Sequence, residues 1–167
     1  LHSEPIVVHY KATAGTVENI VFVTTNEGYL HAVNADTGQE KFAYIPQTLL
    51  SRLYDVKQRT VSQQHAYGLD GKITVWIKDV NHNGLIEADG VDLDGDGTIS
   101  SDEQEHVYLY FGMRRGGDDY YALDVTNIAQ PKLLFTLDGG TGDFSHMGQS
   151  WSTPMMTKVK IFDTEYD

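Results

Sequence analysis

Short apolar runs separated by turn residues recur along most of this 167-residue chain. Alternation of apolar and polar positions predicts β-strands, and clusters of Gly, Asn and Asp between such runs predict turns. The pattern predicts strands over residues 6–10, 20–25, 29–33, 41–45, 73–78, 107–111, 120–125, 132–137 and 159–162. The chain is therefore predicted to be an all-β, antiparallel protein, organised either as a sandwich or as a propeller.

One segment departs from the strand pattern. Leu49, Leu50, Leu53 and Val56 follow Pro46 at helical spacing. Because proline is tolerated in the first turn of a helix, this segment predicts a short helix over residues 47–56.

An internal repeat favours the propeller over the sandwich. The tripeptide at residues 32–34 (Ala-Val-Asn) aligns with the one at residues 122–124 (Ala-Leu-Asp), and each lies between a glycine turn and a polar turn. The separation of 90 residues fits two steps of about 45, which is the size of a four-stranded propeller blade. The repeat therefore predicts a partial β-propeller of about three blades, with residues 1–167 forming one fragment of the propeller domain.

An acidic segment at residues 79–105 interrupts the strand pattern and contains nine carboxylates and neither Lys nor Arg. Its second half, residues 92–103, has Asp at positions 1, 3 and 5, Gly at position 6, Ile at position 8 and Glu at position 12 of the EF-hand calcium loop. This pattern predicts a calcium site with ligands from Asp92, Asp94, Asp96, the Thr98 carbonyl, Ser100 and Glu103. Ile99 is expected to pin the loop to the core.

The first half of the acidic segment is a second candidate calcium loop. Position 12 of this half is Gly90, so that the closing carboxylate would have to come from Asp89 or Asp92. A loop of Asx turns without a metal is the alternative. The candidate ligands are Asp79, Asn81, Asn83, Leu85, Glu87 and Asp89.

Predicted strands flank the acidic segment on both sides, whereas an EF-hand domain has two helices there. The segment is therefore expected to be an insert, residues 79–105, at the tip of a β-hairpin. Residues 100–104 have Ser100 and Glu103 at capping-box spacing and are the one place in the insert where a turn of helix is expected. His82 lies at loop position 4 and is expected to be exposed to solvent.

Composition excludes several functional classes. The net charge of −12 argues against a nucleic-acid partner, which would need clustered Lys and Arg. The absence of Cys removes disulfides and thiolate chemistry, and no apolar run is long enough to predict a membrane span. No signal-peptide pattern is present, and the chain is expected to be a piece of a larger protein.

Motifs for catalysis are missing from the sequence. Residues 148–152 lack the last glycine of a nucleophile elbow, and residues 139–142 lack the lysine of a P-loop. The chain is therefore predicted not to be an enzyme. Several Tyr and Trp residues would suit a glycan-binding face, but packing in a propeller core is the favoured interpretation.

Three segments carry a resemblance to a known family: residues 26–46 with the following Leu-rich segment, residues 68–75 (GLDGKITV) and residues 121–135 (YALDVTNIAQPKLLF). With the acidic insert, they resemble the carboxy-terminal β-propeller of the PilY family, the calcium-binding type IV pilus biogenesis factors and tip adhesins. The resemblance implies a secreted protein of the periplasm, outer membrane, cell surface or pilus tip. It also implies that calcium regulates pilus extension and retraction, and that the partners are pilus proteins or a host or surface ligand.

Two other functions are weighed against this one. The first repeat also resembles blades of pyrroloquinoline-quinone dehydrogenases, in which calcium helps to hold the quinone, but Phe42 and Phe135 stand where such blades usually end with Trp. A dockerin-like module is disfavoured by the chain length and the missing helices. An incomplete propeller would also expose strand edges, which predicts self-association or dependence on the missing blades.

Overall fold

The alternating pattern folds into two four-stranded antiparallel sheets, each with its strands in sequence order. The computed structural model describes residues 3–12, 15–51 and 67–157. The first sheet contains β1 (Ile6–Lys11), β2 (Val17–Thr24), β3 (Leu30–Asn34) and β4 (Glu40–Tyr44). The second contains β5 (Ile73–Lys78), β6 (His106–Gly112), β7 (Tyr120–Asp124) and β8 (Lys132–Leu137).

The predicted strands within the described ranges are confirmed, with bounds that move by a few residues. β3 shows why the pattern works, because its residues alternate between buried and partly buried positions, as expected for a strand with one face on the core. The helical prediction is confirmed for its first turn, α1 (Gln47–Leu50), and Leu53 and Val56 lie outside the described residues. The strand predicted at residues 159–162 also lies outside them.

The aligned tripeptides occupy equivalent places in the two sheets. β3 and β7 are each the third strand, and each has a register irregularity at the same point, after Ala32 in β3 and after Ala122 in β7. The sequence predicted that two blades of about 45 residues each separate the tripeptides. This prediction is wrong, because the 90 residues lead from one sheet to the equivalent strand of the next sheet. The acidic insert and the long connection between β4 and β5 account for the extra length. Two such sheets lie in the described ranges, and the predicted count of about three blades is not confirmed.

One apolar core joins the two sheets and includes Phe22 and Leu30 from the first and Phe111 and Leu123 from the second. The ring of Tyr44 contacts the ring of Phe111 edge-on, with centroids 6.3 Å apart. No helix in the described ranges is long and apolar enough to span a membrane.

Two buried polar contacts also cross between the sheets. The Tyr10 hydroxyl donates a hydrogen bond to the Val125 carbonyl at 2.9 Å, and the Thr24 hydroxyl donates to the Gly71 carbonyl at 2.9 Å. Burial raises the pKa of Tyr10, so its hydroxyl stays protonated and able to donate.

The hairpin of β5 and β6 positions the acidic insert. The last pair in its register joins Lys78 to His106, which leaves residues 79–105 between the strands. Ile86 in this insert forms a parallel bridge with Tyr10 of β1. The insert therefore starts and ends on the second sheet and is attached to the edge of the first.

Candidate metal centre

The second half of the insert, residues 92–103, is named here the second loop. Asp92, Asp94 and Asp96 each offer a carboxylate oxygen, and these oxygens lie within 4.8 Å of one another. All three residues are exposed to solvent. The structure thus brings together the three aspartates that the sequence predicts as ligands at loop positions 1, 3 and 5.

Hydrogen bonds within the second loop hold these aspartates in place. Asp92 Oδ2 accepts from the amide of Gly97 at 3.0 Å, and Asp94 Oδ1 accepts from the amide of Asp96 at 3.1 Å. Asp96 Oδ1 accepts from the Thr98 amide at 2.7 Å. Gly97 has a φ of 82°, a left-handed conformation that glycine adopts without strain, so that the chain can turn around the three carboxylates.

Glu103 closes the second loop through the backbone. Its Oε1 accepts from the Leu93 amide at 2.8 Å, and its Oε2 accepts from the Ser100 amide and hydroxyl, both at 2.9 Å. The bonds from Ser100 and Leu93 hold the pKa of Glu103 below its usual range, so that the side chain is a carboxylate near neutral pH. Glu103 is not in the group of three aspartates that approach one another.

Two details of the second loop differ from prediction. Residues 100–104 form a hydrogen-bonded turn rather than a turn of helix, because the bond from the Glu103 amide to the Ser100 carbonyl, at 3.2 Å, is not continued. Ile99 is 37% exposed, lies outside the core cluster and does not pin the loop to the core. The residue at the same position of the first half, Ile86, is 2% exposed and belongs to the core.

The first half of the insert, residues 79–90, is named here the first loop, and it repeats the turn of the second. Asp79 Oδ2 accepts from the Gly84 amide at 2.7 Å, Asn81 Oδ1 from the Asn83 amide at 3.0 Å, and Asn83 Oδ1 from the Leu85 amide at 2.7 Å. These bonds join the same loop positions as those of Asp92, Asp94 and Asp96. His82 is exposed, as predicted.

Glu105 lies against the first loop, and its role was not foreseen from the sequence. Its Oε1 accepts from the Val80 amide at 3.0 Å, its Oε2 accepts from the Glu87 amide at 2.7 Å, and the residue is 2% exposed. Asp89, one of the two residues predicted to close this loop, is exposed to solvent. Glu105 follows the second loop and so falls outside the 12-residue calcium-loop pattern of the first loop. The pairing of Lys78 with His106 nevertheless places Glu105 beside the start of the first loop.

Glu87 and Glu105 share one electrostatic environment. Burial raises the pKa of Glu105, and the neighbouring Glu87 carboxyl raises it further. Burial also acts to raise the pKa of Glu87, but hydrogen bonds led by that from Lys11, whose Nζ lies 3.0 Å from Glu87 Oε1, hold it below its usual value. The two carboxyls therefore differ in acidity, with the pKa of Glu105 raised and that of Glu87 lowered.

The candidate donors in both loops are oxygens: carboxylates, amide and hydroxyl groups, and backbone carbonyls. Calcium is a hard cation that takes about six to eight oxygen ligands, whereas zinc prefers nitrogen and sulfur. The three converging aspartates and the ionised Glu103 fit calcium in charge and in chemistry.

The aromatic residues predicted to pack do so to different extents. Trp76 on β5 lies in a cross-strand cluster with His106 and Tyr108, with centroids 6.4 and 5.1 Å away. Trp151 is 51% exposed and lies under the guanidinium of Arg114, 5.1 Å from the ring centroid. Neither Trp contact resembles a cofactor-stacking arrangement that would favour the quinoprotein alternative.

Comparisons with known proteins agree with the resemblance found in the sequence. A family model described as the PilY1 beta-propeller domain matches residues 7–160. A type IV pilus biogenesis factor PilY1 homolog from Xylella fastidiosa is 30% identical over 140 residues, which is 84% of this chain and 10% of that protein. A PilY1 from Pseudomonas aeruginosa is 29% identical over 153 residues, covering 90% of this chain and 11% of the relative.

A solved structure is also similar to this chain. The crystal structure of the Pseudomonas aeruginosa PilY1 C-terminal domain aligns with a TM-score of 0.42 at 26% identity, covering 72% of this chain and 19% of that one. The chain thus spans about a tenth of the length of the curated relatives that it matches.

Proposed function

Because this chain belongs to the family of PilY1 beta-propeller domains, we propose that it is a non-enzymatic, calcium-binding module of a type IV pilus-associated surface protein. Calcium in the insert orders the hairpin tip and thereby regulates pilus function or adhesion. The module acts outside the cytoplasm, in the periplasm, at the outer membrane or cell surface, or at the pilus tip. Its partners are pilus proteins or a host or surface ligand.

The convergence of Asp92, Asp94 and Asp96 carries this proposal. Two like charges about 4 Å apart repel by about 1 kcal/mol even in water, so three carboxylates at this spacing cost free energy when no cation is bound. The loop's own hydrogen bonds nevertheless keep them together. An arrangement that favours cation binding over the metal-free state is the physical basis of a calcium sensor.

Calcium binding also provides a mechanism for regulation. The second loop is largely exposed and Ile99 does not anchor it to the core. A ligand present at a hundredfold excess over its dissociation constant stabilises the bound state by about 2.7 kcal/mol. That amount is enough to fix a hydrophilic tip that the core does not hold.

The test is a calcium titration of the chelator-treated chain, followed by calorimetry and thermal unfolding. In the wild type, calcium binding should release heat or change the melting temperature. Asp92→Asn should weaken binding by about tenfold or more, because it removes a charged ligand at loop position 1. Asp102→Asn is the matched control. Asp102 is exposed, and its substitution removes the same charge from the same loop.

The cellular test uses the same pair of variants in the full-length protein. Cells with Asp92→Asn should differ from wild type in surface pilus number or adhesion, whereas Asp102→Asn should not. A chain that shows no calcium-dependent heat, melting shift or protease protection of the insert would contradict the proposal.

A further inference from the structure

We propose that Arg114, Lys72 and the hydroxyl groups beside Trp151 form a pocket that binds a carboxylate group of a protein partner. The pocket lies at the opposite end of the β5–β6 hairpin from the acidic insert, because Lys72 directly precedes β5 and Arg114 follows β6. It goes beyond the proposed function, since its ligand is an anion and not calcium.

The pocket is a cavity of about 100 Å³ between the start of β5, the end of β6 and the segment that follows residue 150. Pockets that enclose a whole small molecule usually have about 300–1,000 Å³. This cavity therefore takes one functional group, such as a carboxylate with the carbon next to it. The side chains that line it come from Lys72, Arg114, Trp151, Ser152 and Thr153.

Two glycines leave the space for this pocket. A Cβ at Gly71 would lie 2.1 Å from the Gly112 carbonyl oxygen, and a Cβ at Gly112 would lie 3.0 Å from the Ser150 hydroxyl oxygen. Both distances are shorter than ordinary van der Waals contact, so a larger residue at either position would displace its neighbours. The floor of the pocket is therefore backbone that a ligand can approach closely.

Arg114 supplies a positive charge that no carboxylate offsets among the described residues. Its guanidinium lies 5.1 Å from the Trp151 ring centroid and 3.4 Å from the Asp70 backbone carbonyl, and it is in none of the ion pairs of the described residues. The neighbouring Arg115 differs, because its Nε lies 3.6 Å from the buried Asp70 carboxylate. In a chain with 24 acidic and 12 basic residues, the charge of Arg114 is available for an anion from outside.

The backbone of Arg114 is held in an unfavourable conformation. Its φ is 49°, in the left-handed region where most of the described residues with positive φ are glycines. The buried Ser150 hydroxyl oxygen accepts hydrogen bonds from the amides of Met113 and Arg114, at 2.8 and 3.1 Å, and so holds this turn. Strain of this kind in a residue with a Cβ is typical of binding sites. The turn presents the Arg114 side chain to the pocket at a cost in free energy that glycine would avoid.

The groups around the cavity suit a carboxylate. The planar guanidinium can donate two parallel hydrogen bonds to the two oxygens of a carboxylate, and its contact with Trp151 fixes its orientation. Lys72 Nζ lies 2.6 Å from Glu4 Oε1, but an ion pair so exposed contributes little, so the ammonium can turn to a ligand. Thr153 is exposed and lines the cavity, where its hydroxyl can also donate.

The size of the cavity favours a protein partner over an acidic sugar. An Asp or Glu side chain, or the carboxylate at the end of a chain, reaches into about 100 Å³ on a short stem. The ring of a uronic acid would stay outside, where Arg114 already covers one face of Trp151.

The experiment follows the side-chain N–H resonances of Arg114 and Trp151 by NMR while the peptide acetyl-Gly-Glu-Gly-amide is added to the chain. The matched ligand is acetyl-Gly-Gln-Gly-amide, which has the same shape and no charge. The glutamate peptide should shift both resonances to saturation. The glutamine peptide should bind about tenfold more weakly or not at all, because it cannot form charge-assisted hydrogen bonds with Arg114.

Three variants separate binding from folding. Arg114→Gly should weaken binding of the glutamate peptide by about tenfold or more, yet change the melting temperature by no more than about 4 °C, because glycine relieves the strain at a positive φ. Arg114→Lys keeps the charge but loses the planar fork, and should weaken binding by about threefold or more. Lys132→Gln is the matched control, since it removes one positive charge from the exposed start of β8, opposite Asp124 at the other end of the same sheet. It should leave binding unchanged.

Equal binding of the two peptides would overturn the proposal, as would an equal effect of Arg114→Gly and Lys132→Gln. Sodium glucuronate and sodium sulfate are titrated in parallel. If either binds about tenfold more tightly than the glutamate peptide, the ligand is not a protein carboxylate and the proposal is wrong. None of these results depends on calcium, so the pocket and the calcium site can fail separately.

Discussion

The two loops differ most at the isoleucine that occupies position 8 in each. Ile86 is 2% exposed and lies in the core, whereas Ile99 is 37% exposed. The difference follows from neighbours rather than from the loops, because Ile86 is bonded through its backbone to β1, whereas no backbone hydrogen bond among the described residues joins the second loop to a strand. The same residue type at the same motif position therefore has two different structural roles.

We predict that Ile86→Ala destabilises the calcium-free chain by about 2–4 kcal/mol, because it leaves a cavity in the core between the sheets. Ile99→Ala is the matched control and should cost less than about 1 kcal/mol, since its side chain is already in contact with water. Urea unfolding midpoints at one protein concentration measure both values. Equal destabilisation by the two variants would show that Ile86 does not anchor the insert.

At the scale of elements, an ion pair and a hydrogen bond to the same carboxylate link three strands of the first sheet. Glu18 on β2 accepts from the Asn34 amide group at the end of β3, at 3.0 Å, and pairs with Lys41 on β4. The hydrogen bond from Lys41 is the main cause that lowers the pKa of Glu18, and the bond from Asn34 adds to it. Both side chains of the pair are less than one-third exposed. The link ties the ends of β2, β3 and β4 together beyond their backbone ladder.

We predict that Glu18→Gln lowers the free energy of unfolding by about 1 kcal/mol at pH 7. Because the folded-state pKa lies below the unfolded value of about 4.3, the contribution of Glu18 is present above that value and is lost as the pH falls through the folded-state pKa. The difference between wild type and variant should therefore shrink towards zero once the pH falls below the folded-state pKa. Urea unfolding at a series of pH values measures it.

Glu4→Gln serves as the control for this prediction. Glu4 also pairs with a lysine, Lys72 at 2.6 Å, but the side chains are 73% and 45% exposed. A pair so exposed contributes little, so Glu4→Gln should change stability by less than about 0.5 kcal/mol at any pH. A difference for Glu18→Gln that persists at acidic pH would mean that its charge is not the cause.

The strands were easier to predict from the sequence than the pairing and contacts between distant segments. Strand patterns such as that of residues 73–78 depend on local alternation, and they are confirmed. The wrong repeat step and the missed Glu105 depend instead on which strands pair across long connections. Glu105 reaches the first loop only because β5 and β6 pair across residues 79–105, and a window along the chain cannot show such a contact. Ile99 was misplaced for the same reason.

At the scale of the whole molecule, the outer strand of the second sheet exposes apolar side chains. Leu133, Leu134 and Phe135 on β8 are 52%, 43% and 45% exposed, and among the strands of the described ranges β8 pairs with β7 alone. An edge strand with free backbone groups and exposed apolar residues is a template for pairing with another chain. The net charge of −12 opposes association over the molecule as a whole, but β8 itself carries no acidic residue.

We therefore predict that the chain self-associates through β8, and that Leu134→Lys shifts it towards the monomer by about tenfold in dissociation constant, because a lysine on an edge strand opposes pairing with a second strand. Sedimentation velocity over a range of protein concentrations measures the shift. Ala129→Lys adds the same charge at an exposed position before β8 and should leave association unchanged. A wild type that stays monomeric would contradict the prediction, and an equal effect of the two lysines would show that net charge rather than the β8 edge controls the assembly.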